Sequence, residues 1–200
     1  GEWELLPYQT DPFNQIIANQ DVIYSTVNND GIMISFDLGL TWDVIPAPII
    51  GENYFKLLYA NNQYLYVSKG CQLFRTMNYG QIWNDITNNL DEIGPPQPYS
   101  CTMLYDLIEW QNNIIVSVYW YGGVGTLLVS DNNLETWNLI ESFPSNSTVG
   151  YYNGVSDLLH KYDILYAGTA TSQDGVYYTA NLIDWYEFSD GLTSYNLSVN

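Results

Sequence analysis

The side chains best placed to do chemistry stand together once, in Ser35-Phe36-Asp37-Leu38-Gly39-Leu40-Thr41-Trp42. Two hydroxyls and a carboxylate share one short turn there, a set that could activate a nucleophile or hold a polar ligand. The other reactive groups are scattered. His160 is the only histidine, in an expected turn beside Lys161. A Ser–His–Asp triad or a multi-histidine metal site would depend on it alone, and nothing flanking it supports either. Cys71 and Cys101 are the only cysteines; they could form one disulfide or stay as two buried thiols. With a single histidine they cannot close a tetrahedral zinc site without carboxylates. No EF-hand spacing appears, and Gly122-Gly123-Val124-Gly125 lacks the following Lys and helix of a phosphate cradle. The expectation is therefore no metal, no cofactor and no catalytic residue.

Charge narrows the partners further. Acidic residues number 22 against 4 basic ones, a net charge of −18, and the cations are Lys56, Lys69, Arg75 and Lys161. A surface that neutralises phosphates needs several Lys or Arg, so nucleic acid and anionic membranes are excluded as partners. The polar surface must be built from Asn, Ser, Thr, Gln and Tyr. Such a surface suits neutral, hydroxyl-rich ligands and secreted or virion-exposed proteins, or else the acidity serves solubility alone. No apolar stretch is long enough to span a bilayer as a helix. The chain opens Gly-Glu-Trp, so either it has no signal peptide or it begins after one was removed.

The elements that must position these residues follow from an internal repeat. Trp3, Trp42, Trp83, Trp137 and Trp185 recur at separations of 39, 41, 54 and 48 residues, the length of a four-stranded propeller blade. Each unit reads as four strands. The first runs are Gln15–Ala18, Phe55–Tyr59, Met103–Ile108 and Val155–Leu159; the second are Val22–Thr26, Tyr64–Ser68, Ile114–Val118 and Ile164–Thr169. The third runs are Gly31–Ser35, Gln72–Thr76, Gly125–Ser130 and Gly175–Thr179, and the tryptophan then opens the fourth. Short runs rich in β-branched and aromatic residues, bounded by polar turns, are strand signals. The expected fold is an all-β propeller of four-stranded antiparallel blades over 1–200, with units at about 3–42, 42–83, 83–137 and 137–185, and a further unit beginning at 186–200. The start on a fourth strand and the end on a first one suggest part of a larger propeller, or chains that complete one another. Asn88–Ser100 and Glu141–Asn153 read as long loops.

The turn pattern resembles the Asp-box, or BNR, repeat of sialidase-like propellers. Ser35, Asp37, Gly39, Thr41 and Trp42 match it in full. Thr76, Asn78, Gly80 and Trp83 keep four positions; Ser130, Asn132, Thr136 and Trp137 replace the glycine with Leu134; Thr179, Asn181 and Trp185 lie in a shortened copy. The hydroxyl and carboxylate or amide can bond turn amides, glycine permits positive φ, and the indole packs on neighbouring strands. The boxes are therefore expected to clamp hairpins rather than catalyse. The resemblance implies that they lie opposite the ligand face. It also implies that a sialidase needs three arginines, whereas this chain has only Arg75, which argues against sialidase action.

Binding is the remaining reading. The second-to-third and fourth-to-first connections of a propeller share one face, and here they offer Asn28, Asn29, Asp30, Tyr119, Trp120, Tyr121, Gln173 and Asp174. Aromatic faces stack on sugar C–H groups while amides bond hydroxyls. Tyr119-Trp120-Tyr121 leads, although as a strand end it could equally place alternate aromatics in the core. The expected function is a non-catalytic extracellular or virion-associated module, of phage or bacterial surface type, binding a neutral glycan or a protein surface. The alternatives are a neutral-glycan hydrolase with an incomplete site here, in which Asp30, Asp174 or Glu52 would be candidates, and an assembly protein docking through open blade edges or self-associating through its ends.

Overall fold

A computed structural model describes residues 13–27, 31–49, 55–93, 101–120, 124–131, 134–144, 154–169 and 175–188. Four four-stranded sheets form their framework. The first blade comprises β1 (Phe13–Asn19), β2 (Val22–Val27), β3 (Gly31–Ser35) and β4 (Asp43–Ile45), and the second β5 (Lys56–Ala60), β6 (Leu65–Lys69), β7 (Gln72–Thr76) and β8 (Asn84–Asp85). The third comprises β9 (Cys101–Trp110), β10 (Asn113–Trp120), β11 (Val124–Ser130) and β12 (Asn138–Leu139), and the fourth β13 (Val155–Lys161), β14 (Ile164–Thr169), β15 (Val176–Thr179) and β16 (Tyr186–Glu187). Strands pair antiparallel in chain order within each sheet. The only helical element among the described residues is a 3-10 turn, Leu90–Glu92. Each sheet is thus a propeller blade, as the repeat predicts. Each fourth strand begins one residue after its tryptophan, because the indole belongs to the turn and not to the ladder. The terminal strands expected at Trp3–Leu6 and Tyr195–Val199 lie outside the described residues.

The chain divides into two compact units, 1–86 and 87–200. In the first, the middle strands are buried on both faces; β3 is buried throughout. Tyr24, Ile32, Ile34 and Ile45 of the first blade meet Phe55, Leu57, Leu65, Val67 and Phe74 of the second in one core. At about 25 cal/mol per Å² of apolar surface removed from water, this face-to-face packing is what holds blade to blade. The fourth strands are short and exposed at their first residues.

A second device joins blades at their first strands. β1 and β5 both carry a bulge, and the Gln15 side-chain oxygen accepts the Leu57 N–H at 2.9 Å across the two blades. In the second unit, Asp106 of β9 accepts the Leu158 N–H of β13 at 2.6 Å. β5 and β13 are edge strands of their sheets, whose outward amides have no ladder partner, and a side chain of the preceding blade takes one. No sequence signal announced this latch.

Neither cysteine carries a free thiol. His160 lies in β13 and is exposed, a strand rather than a turn position, because the reversal occupies the residues after Lys161. Among the described residues no cluster of three metal-ligating side chains occurs.

Candidate functional site

The boxed turns are built as clamps. The Ser35 hydroxyl donates to Asp37 at 2.9 Å and accepts the Gly39 N–H at 2.8 Å. Asp37 accepts the Thr41 N–H at 2.8 Å and the Thr41 hydroxyl at 2.6 Å. The Trp42 indole donates to the Gly39 carbonyl at 3.0 Å. Leu38 and Gly39 both have positive φ, 59° and 89°. The Thr41 hydroxyl and then its N–H hold the Asp37 carboxyl below the ordinary aspartate value. Each side chain of the set bonds within the turn itself.

The second turn repeats the pattern with an amide. Thr76 bonds Asn78 and the Gly80 N–H, each at 3.0 Å, and Asn78 accepts the Ile82 N–H at 2.9 Å. In the fourth, Thr179 accepts the Asn181 and Leu182 N–H groups, and Asn181 those of Ile183 and Asp184. The third has lost its glycine: Leu134 takes φ 72° and is buried. Repair comes from outside the turn. Asn89 accepts the Trp137 N–H at 2.9 Å and donates to the Trp137 carbonyl at 3.3 Å, while Asn88 donates to the Leu134 carbonyl. The start of the expected long loop is therefore a cap for the weakest turn. Asn132 lies outside the described residues.

On the opposite end, most of the residues nominated for binding cannot be placed. Asn28, Asn29, Asp30, Tyr121, Gln173 and Asp174 lie outside the described residues, as does Glu52. Tyr119 is half-buried in β10, its ring edge-on to Tyr105 at 5.7 Å. Trp120 is 0% exposed and its indole nitrogen lacks a hydrogen-bond partner. Its ring belongs to the core and is closed to solvent, as are both faces of β10 over Ile115–Val118.

In the first unit a groove opens at its own loop end. Pro48 and Ile49, in the connection after β4, face Lys69 and Gln72, which flank the β6–β7 hairpin, and Phe74, Trp83 and Asp85 complete it. Its volume is about 710 Å³, within the range of ligand-sized sites. The Trp83 indole donates to the Pro46 carbonyl at 2.7 Å, which fixes the ring against the connection. Phe74 is buried beneath, while Gln72 and Asp85 are exposed. The position was legible, since it combines a fourth-to-first connection with a second-to-third hairpin. The residues were not: Phe74 reads as strand and Trp83 as box. Arg75, the chain's single arginine, stacks its guanidinium over the Tyr64 ring at 4.3 Å, a cation–π contact.

No family model and no curated protein matches the chain. Solved structures do. The extracellular domain of the one-component system BT4673 from B. thetaiotaomicron superposes with TM-score 0.61 at 13% identity, over 93% of this chain and 23% of that one. YCF48 bound to D1 peptide gives 0.56 at 11%, over 93% and 56%, and the GH74 xyloglucanase from Xanthomonas campestris 0.53 at 12%, over 84% and 28%. The chain therefore spans between about a quarter and about half of these proteins. The computationally designed Ika4 protein gives 0.52 at 12%, over 92% and 95%. At such identities the likeness is one of fold, and the fold is that of four-stranded propeller blades.

Proposed function

We propose that the chain is a non-catalytic recognition module whose loop-end groove takes an extended segment of a partner protein. The groove between Ile49, Lys69, Gln72, Phe74, Trp83 and Asp85 carries the reading. Its walls are apolar, and its rim offers one cation and one carboxylate, which suits a peptide with an apolar anchor flanked by polar groups. The likeness to YCF48, a protein whose structure contains a bound peptide, supports a protein partner. A neutral glycan stacked on Trp83 is the competing ligand, and the likeness to a xyloglucanase supports it. An extracellular or virion-surface location is supported by the absence of free thiols and the likeness to an extracellular domain, since disulfides persist in oxidising compartments. The boxed turns act as Asp-box clamps in this reading.

The test displays the parent and a Gln72→Arg/Asp85→Arg variant against an extended-peptide library and a neutral-glycan array. The expected result is parent binding to peptides with an apolar anchor, reduced at least tenfold in the variant. Glycan hits lost in the variant would move the assignment to a glycan. Silence of the parent on both arrays would overturn the recognition reading.

A further inference from the structure

We propose that the turn end of the first two blades carries a second binding site, a pocket for one neutral sugar ring. Three turns from the two blades wall it. The β1–β2 turn brings Asn19 and Asp21, the β5–β6 turn brings Asn62 and Gln63, and the turn after β7 brings Tyr79. The pocket has a volume of about 170 Å³. A protein cavity of about 150 Å³ accepts benzene, so a single six-membered ring fits. The pocket shares no residue with the loop-end groove and does not depend on it.

Its polar groups are held in place yet retain capacity. Asn19 Nδ2 donates to Asn62 Oδ1 at 3.0 Å, which leaves the Asn19 oxygen to accept and the Asn62 nitrogen to donate. Gln63 Nε2 is held on the Tyr64 hydroxyl at 3.0 Å, leaving its oxygen. An amide donor beside an amide acceptor matches the vicinal hydroxyls of a pyranose. At the inner wall Tyr24 lines the pocket and is 5% exposed. Its hydroxyl can bond a ligand oxygen at that depth. Burial first, and the neighbouring Tyr79 second, push its pKa up to about 12, so it remains a donor at neutral pH.

The walls set the rest of the specificity. Tyr79 is half-exposed, and Phe36 holds its ring edge-on at 5.1 Å and 83°. A ring fixed in this way can stack on the C–H face of a sugar. No Lys or Arg is among the described residues lining the pocket, whereas Asp21 is, in a chain of net charge −18. Phosphorylated, sulfated and carboxylated sugars are therefore rejected.

The test is a titration with glucose, galactose, mannose and N-acetylglucosamine at millimolar concentration, followed through backbone amide NMR shifts. At least one sugar should give saturable shifts at Asn62, Gln63 and Tyr79. Tyr24→Phe, which removes only the hydroxyl, should weaken it about tenfold, the equivalent of one well-formed hydrogen bond, and Asn62→Ala should weaken it as well. Gln72→Arg, in the other groove, should leave it unchanged. If Tyr24→Phe loses its dispersed spectrum, Asn62→Ala on the exposed turn decides. Absence of a saturable shift with all four sugars, or shifts that neither variant weakens, would overturn the site.

Discussion

Two glycines with nearly the same backbone conformation differ only in what surrounds them, and this separates conformational strain from packing. Gly31 has φ +84° with nothing near the position a Cβ would take. Gly80 has φ +81°, and its Cβ would lie 2.9 Å from Ile45 Cδ1 and 3.0 Å from Ile45 Cβ. Gly31→Ala should therefore cost only the left-handed conformation, roughly 1–2 kcal/mol, partly offset by about 0.4–1 kcal/mol from the stiffer unfolded chain. Gly80→Ala adds overpacking of roughly 1–3 kcal/mol, because Ile45 is buried in the core shared by the first two blades and has little room to move. The expected total is about 2–4 kcal/mol, read from urea unfolding followed by tryptophan fluorescence. Ile45→Val removes the nearest carbon, so Gly80→Ala should cost less in the Ile45→Val background, with a coupling of about 0.5–1 kcal/mol. Equal costs for the two glycines, or strict additivity with Ile45→Val, would refute the steric account of the second turn.

Two further outcomes follow from the turns. The folded Asp37 carboxyl titrates below its unfolded value, so its contribution is complete above the unfolded pKa and is lost as pH falls through the folded one. Acid unfolding of the parent should thus show a component below about pH 4 that disappears in Asp37→Asn; an unchanged acid limb would count against the clamp. Asn89→Ala removes the side chain that bonds the N–H and carbonyl of Trp137, a residue only 1% exposed. It should cost about 1–3 kcal/mol in urea unfolding, with Asn89→Asp recovering part by keeping the acceptor. No loss would mean that water replaces the cap.

Much of the fold was legible because propeller blades are local. Each strand pairs with its neighbour in sequence, and the runs at Ile164–Thr169 and Gly31–Ser35 carry their β signal in their own residues. The box turns were legible for the same reason: Ser35, Asp37 and Thr41 bond backbone within the turn. The candidate sites were less so. Tyr119 and Trp120 are adjacent in sequence, yet one is half-exposed and the other fully buried, and a run of aromatics does not say which face is covered.

What the sequence determined by itself is therefore the blade, its turns and its charge, all properties of short windows or of totals. Only the tertiary structure decided which side chains meet across blades. Asn89 repairs a turn 48 residues away, Gln15 latches Leu57, and Asn19 reaches Asn62 at the mouth of a pocket. Those contacts each span about one blade repeat, 42, 43 and 48 residues, but the repeat does not say which side chains meet, and they form only once neighbouring sheets have packed.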